Sequence, residues 1–241
     1  MKLMITALLF GLACAGLADE YRTFTDKEGR EIRAKIVKSD ARSGKVTLLR
    51  DNGKRATVPA QVFSDDDVAY IREWSAASQF QMNSKFKIKV DEEKKKLGDN
   101  KTALAYEVEL TNNSNMPLED VRVDYAIFVR VSGFNGSADT EKIYTGTLKF
   151  ENLGIGEKRA LLTSEEKLTK TYKTYSYEDT ETVGYVSYTV TKTGQKKSTE
   201  DKLAGIWLKV YGPKVGGAQI CRDFTDPSSL QKKYAWPSGK F

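Results

Sequence analysis

Val121-Arg122-Val123-Asp124-Tyr125-Ala126-Ile127-Phe128-Val129-Arg130 is the stretch on which the fold turns. Val121, Val123, Tyr125, Ile127 and Val129 fall at alternate positions, so a strand places all five on one face. Such a run is long for a strand in a small domain. The pattern repeats on both sides of it. Upstream, Phe86-Lys87-Ile88-Lys89-Val90 alternates cleanly, and so do Leu104, Tyr106, Val108 and Leu110. Downstream, residues 143–150, 159–163, 182–191 and 204–211 read as further strands. Gly98-Asp99-Asn100-Lys101 and Asn112-Asn113-Ser114 are turn signals between them. Residues 91–96 read as a charged loop, and residues 192–197 as a polar hairpin tip guarded by lysines. About seven turn-punctuated strands without helical periodicity predict an immunoglobulin-like β-sandwich over residues 83–215. Residues 216–241 lack periodicity and read as an irregular tail docked by Trp236.

Nearer the N-terminus, residues 19–75 carry shorter strands. Ile32, Ala34 and Ile36 alternate with Arg33 and Lys35. Asp51-Asn52-Gly53-Lys54 is a two-residue hairpin signal, because Asn-Gly tolerates positive φ. Ser64-Asp65-Asp66-Asp67 has the composition of a helix start, with Ser64 as cap and carboxylates on the first turn. A short helix is expected from Asp65 to about residue 76. Residues 76–82, which include Ala76-Ala77-Ser78-Gln79, read as a linker.

Several pieces in order carry a resemblance. They are Tyr21-Arg22-Thr23-Phe24, Gly29-Arg30-Glu31-Ile32-Arg33-Ala34, Gly44-Lys45-Val46-Thr47-Leu48, Asn52-Gly53-Lys54, Val58-Pro59 and Phe63-Ser64-Asp65-Asp66-Asp67-Val68-Ala69-Tyr70-Ile71. Residues 21–74 thereby resemble the SLA1 homology domain 1 family found in exported planctomycete and verrucomicrobial proteins. The resemblance implies a small SH3-like barrel and a module that binds protein or peptide, without carrying a ligand across. The stretches Val108-Glu109-Leu110-Thr111-Asn112-Asn113-Ser114 and Pro117-Leu118-Glu119-Asp120-Val121-Arg122-Val123-Asp124-Tyr125 are similar to a pattern in exported bacterial immunoglobulin-like domains. The expected fold class is all-β: an SH3-like barrel with a short C-terminal helix, then an immunoglobulin-like sandwich.

The first 18 residues have the form of a secretory signal peptide: Lys2, then the apolar run from Leu3 to Ala13, then Ala18 before Asp19-Glu20. The run is too short for a permanent membrane span, so the chain is expected to be exported, periplasmic or extracellular. Acylation at Cys14 is the alternative, and Gly11 at −3 fits it poorly. If cleavage follows Ala18, Cys221 loses the only other cysteine and is expected as a small buried hydrophobe or a free thiol.

The chain has no histidine. Serine and cysteine triads and ordinary catalytic zinc sites are thereby excluded. What chemistry remains is a carboxylate pair, as in glycosidases, or Lys/Tyr proton transfer. No catalytic, metal or cofactor-binding residue is assigned. The net charge of +6 comes from interspersed signs, with no dense basic run of the kind that neutralises nucleic-acid phosphates. The candidate ligand-binding residues are Tyr172, Tyr175 and Tyr177, in a segment of tyrosines set among Thr and Lys. Exposed Tyr with neighbouring hydroxyls suits a protein or glycan surface; the competing reading is that Tyr and Thr simply make good strands. The leading expectation is a non-enzymatic interaction protein with an unknown protein or peptide partner. The alternative is a carbohydrate-binding or carboxylate-based glycan-active envelope protein.

Overall fold

The computed structural model describes residues 20–40, 42–133 and 138–238; the expected signal peptide and Cys14 lie outside them. Among the described residues the fold is all-β apart from one α-helix and two short 3-10 turns. Four antiparallel strands form a small sheet: β1 (Arg22–Thr25), β2 (Glu31–Asp40), β3 (Lys45–Arg50) and β4 (Arg55–Pro59), in that spatial order. Gly53 turns the β3–β4 hairpin at φ 79°, a conformation that costs other residues a steric clash. The alternating Ile32, Ala34 and Ile36 of β2 meet Phe24, Val46 and Leu48 in one small core, completed by Phe63 and Ile71.

Helix α1 (Asp65–Gln81) begins where the acidic run predicts. Asp67 N–H donates to Ser64 Oγ at 3.3 Å. Asp67 is itself buried and accepts from the Thr25 N–H at 2.7 Å, the Ser64 hydroxyl at 3.1 Å and the Arg22 guanidinium at 2.8 Å. The same carboxylate therefore starts the helix and clamps it to β1.

The helix does not stop near residue 76. It continues through Gln81, so residues 76–81 are helical where a linker was expected. The reason is packing. Ser75, Ala76 and Ala77 are small and buried, which lets the helix lie close to its neighbours. Ala77 and Phe80 belong to the core of the larger unit. Phe80 packs on Phe86 with centroids 4.6 Å apart. It also fills the space beside Gly212, where an added Cβ would lie 2.6 Å from its ring. Arg222 donates to the carbonyls of Phe80 at 2.7 Å and Phe86 at 3.0 Å, and to Asn83 Oδ1. Burial lowers the Arg222 pKa from its ordinary value.

The larger unit holds β5 (Phe86–Gly98), β6 (Lys101–Asn112), β7 (Val121–Gly133), β8 (Thr140–Phe150), β9 (Lys158–Leu162), β10 (Glu166–Val183), β11 (Val186–Val215) and β12 (Ala218–Asp226). The hydrogen-bonded order is β5-β6-β10-β11-β7-β8, with β9 on β6 and β12 on β11. The even residues Leu104, Tyr106, Val108 and Leu110 of β6 share one core with the odd residues Val121 to Val129 of β7. The eight-stranded sheet thus closes over one core with strands β6 and β7 contributing to it, an arrangement that fits a β-sandwich. Burial pushes the Tyr106 hydroxyl pKa well up.

Three local expectations change. Residues 91–96 are not a loop; they lie in β5, paired to β6. Residues 186–215 form one strand, with register shifts at Leu203/Gly205 and Tyr211/Lys214, rather than two separate strands. The segment after residue 215 is not simply irregular, since β12 occupies Ala218–Asp226. Beyond it, Leu230, Tyr234 and Trp236 cover the outer face of β7, which is why Ala126 and Phe128 are buried along with their odd-numbered neighbours. Trp236 meets Trp207 edge-on at 5.6 Å. Cys221 is buried, as expected of a small hydrophobe. No helix among the described residues is long and apolar enough to cross a membrane.

Candidate functional site

β10 leaves β6 after Thr169, and β11 joins β7 only from Thr199 onward. Between those points β10 and β11 pair only with each other, from Tyr172↔Lys197 to Val183↔Val186. The result is a two-stranded ribbon about 40 Å long, at the usual rise per strand residue. It extends past the sandwich sheets and carries both outer edges unpaired among the described residues. Its sequence explains it locally: Thr, Tyr and Val favour extended backbone, and Gly184-Tyr185 closes the end with Gly184 at φ 66°.

Register sorts the ribbon's side chains, because directly opposed residues share a face. One face carries Tyr175, Tyr177, Asp179, Glu181 and Val183, opposite Gly194, Lys192, Val190, Tyr188 and Val186. The rings of Tyr175 and Tyr177 lie 5.9 Å apart at 36°. Tyr175 lies over Gly194, where an added Cβ would stand 2.8 Å from its ring. Lys192 bonds both Asp179 at 2.7 Å and Glu181 at 2.9 Å. The hydrogen bond from Lys192 holds the Asp179 carboxyl below its usual range, and the bond to Asp179 raises the Lys192 pKa in turn. The Tyr188 hydroxyl donates to Glu181 Oε2 at 3.4 Å. The face is thus a strip of rings around one lysine shared by two carboxylates.

The opposite face is hydroxyl-rich. Thr174, Ser176, Thr180 and Thr182 stand opposite Gln195, Thr193, Thr189 and Ser187. A register shift after Thr171 brings Tyr172 opposite Lys197, on this second face. Of the three candidate residues, the structure therefore brings Tyr175 and Tyr177 together and sets Tyr172 apart.

Exposure concentrates here. Of fifteen exposed large hydrophobic side chains among the described residues, seven lie between Tyr172 and Tyr188. Tyr185 at the tip is fully exposed, and Val183 and Val186 beside it are two-thirds exposed. Sequence reading passed over Lys192, Val183 and Val186 as site residues. The signal that would have found them is the turn at Gly184-Tyr185, which sets the cross-strand partners. Residues 192–197, expected at a hairpin tip, are mid-strand instead.

Chemically, the ribbon offers flat apolar rings, hydroxyls and paired charges, a recognition kit. The carboxylate that burial raises is Glu166, at the start of β10 and away from the rings. Among the described residues no group of three or more His, Cys, Asp or Glu could hold a metal ion. No protein-family model matches the chain, and no curated protein matches it.

Proposed function

We propose that the protein is an exported, non-catalytic interaction protein that grips a protein partner with the β10–β11 ribbon. The observation that carries this reading is the uncovered Tyr175-Tyr177-Tyr188 face on a ribbon whose two edges are unpaired among the described residues. Large rigid rings add contact area at little entropic cost. Open edges offer backbone N–H and C=O groups for strand addition by a partner. Export rests on the sequence of the first 18 residues. The kinship of residues 21–74 with the SLA1 homology domain rests on their motifs, and the four-stranded sheet capped by α1 supports it.

The test is capture from an envelope extract by the full chain and by a Tyr175→Ser, Tyr177→Ser, Tyr188→Ser variant. A protein partner retained by the first and reduced at least about tenfold by the second is the expected result, in line with the energies of interface aromatics. Equal capture by both refutes the ribbon's role. A second reading is glycan recognition, favoured by the paired rings backed by a hydroxyl face. Glycan-array binding lost in the same variant, with no protein captured, selects it.

A further inference from the structure

The fold gathers lysines that the sequence scatters. Where the ribbon leaves the sandwich, the ends of β5 and β6 and the roots of β10 and β11 enclose a cleft of about 780 Å³. Lys94, Lys96, Lys101, Lys170 and Lys202 line it. Its carboxylates are already engaged. Asp201 is buried and accepts from Lys142 at 3.1 Å and from both the N–H and hydroxyl of Thr169 at 3.0 Å. Glu200 is shared by Lys170 at 3.0 Å, Lys197 at 3.1 Å and Lys202 at 3.9 Å. Lys96 has Asp99 at 3.5 Å, and Lys94 has Glu92 at 2.6 Å. The lining itself holds five lysines against the three carboxylates Asp99, Glu200 and Asp201, and this surplus sits in a concave site, where protein walls focus a positive field. Hydrogen bonds from Lys170 and Lys197 lower the Glu200 pKa, as such a field requires.

We propose that this cleft binds a multiply sulfated or phosphorylated saccharide. The ammonium groups take the anions as point charges, while Asn100 and Thr102, which also line the cleft, suit the sugar hydroxyls. A nucleic acid fits less well. The lining holds neither an aromatic ring for base stacking nor an arginine for bidentate phosphate contact. The site is separate from the Tyr175-Tyr177 face, so it stands or falls independently of the ribbon's partner.

Calorimetry of the full chain tests it with four probes: a heparin octasaccharide, inositol hexakisphosphate, a neutral dextran octasaccharide and a single-stranded DNA of matched charge. The expected result is binding of the sulfated or phosphorylated probe, no binding of dextran, and DNA at least about tenfold weaker. Lys96→Glu with Lys101→Glu then weakens binding at least about tenfold and flattens its salt dependence by one to two released counterions, about what loss of two cation contacts implies. Lys38→Glu with Lys54→Glu on the small sheet makes the same change in net charge and leaves affinity within about twofold, because screening confines charges to a Debye length. Lys96→Arg with Lys101→Arg keeps binding, which separates charge loss from misfolding. The Tyr175→Ser, Tyr177→Ser, Tyr188→Ser variant binds normally. No binding of either anionic probe overturns the proposal. So does equal loss in the two charge-reversal variants, or DNA binding as tightly as the saccharide.

Discussion

Asp67 ties two elements with one carboxylate, accepting from the Ser64 hydroxyl that caps α1 and from both the Thr25 N–H and the Arg22 guanidinium of β1. Arg22 in turn lies 3.8 Å from the Tyr70 ring centroid. Removing a buried, multiply bonded carboxylate leaves its donors unmet, so Asp67→Ala should cost about 2–4 kcal/mol. Urea unfolding followed by tryptophan fluorescence measures it, and a loss below about 0.5 kcal/mol, the scale of ordinary surface changes, would refute the clamp. This part of the molecule was legible residue by residue, because Ser64 and the acidic turn are local signals. Gly194 misled for an equally local reason. A glycine among Lys, Thr and Gln looks like a turn, yet here it makes room for the Tyr175 ring across the ribbon. Nothing nearby in sequence announces that need.

At the scale of elements, the alternation in β7 and the presence of a hairpin at Asn52-Gly53 were readable, because period and turn chemistry are short-range. The loop itself holds three residues, Asp51 to Gly53, with Gly53 alone at positive φ, where a two-residue turn was expected. The end of α1 was not readable. Ser75, Ala76 and Ala77 resemble a linker by composition, and only the packing of Ala77 and Phe80 against the sandwich makes the helix continue. The ribbon was invisible for a related reason: its strand propensity was plain, but its independence from other strands is a fact of topology. That independence predicts behaviour. A two-stranded hairpin with no third strand is marginal in water, so local opening should be frequent. Amide hydrogen exchange should find residues 172–197 unprotected within minutes, while β7 and the 206–210 part of β11 stay protected far longer. Protection of the ribbon equal to that of β7 in dilute solution would show that it is already covered by another copy. Partner binding should slow exchange in the ribbon first.

Across the whole molecule, charge sets the pH range of stability. Hydrogen bonds hold five carboxylates below the usual range: from cations at Asp26, Asp179 and Glu200, from the Ser43 hydroxyl at Asp40, and from the Gly154 N–H at Glu157. Folding favours their ionised forms, so their contribution is complete above the ordinary carboxylate pKa near 4 and fades as pH falls through the lowered values. Glu166, raised by burial, acts in the opposite sense: its contribution is largest in acid and is lost as pH rises through its folded value. Lys89, Lys170 and Lys192 are raised by their carboxylate partners, so their contribution fades in strong alkali. Thermal melts should therefore show Tm falling below about pH 4, and Glu157→Gln should shrink that fall. A Tm that rises on acidification would contradict the balance. Strand β11 adds a mechanical consequence. It runs without a break from the Tyr185 tip, along β7, to Gly216, whose N–H donates to Glu73 of α1 at 2.9 Å. A pull on the tip along the ribbon reaches the β11–β7 ladder lengthwise, and its hydrogen bonds then carry the load together rather than parting one by one. If the ribbon grips a partner as proposed, the strand that reaches outward is also the tether that resists being drawn away with it.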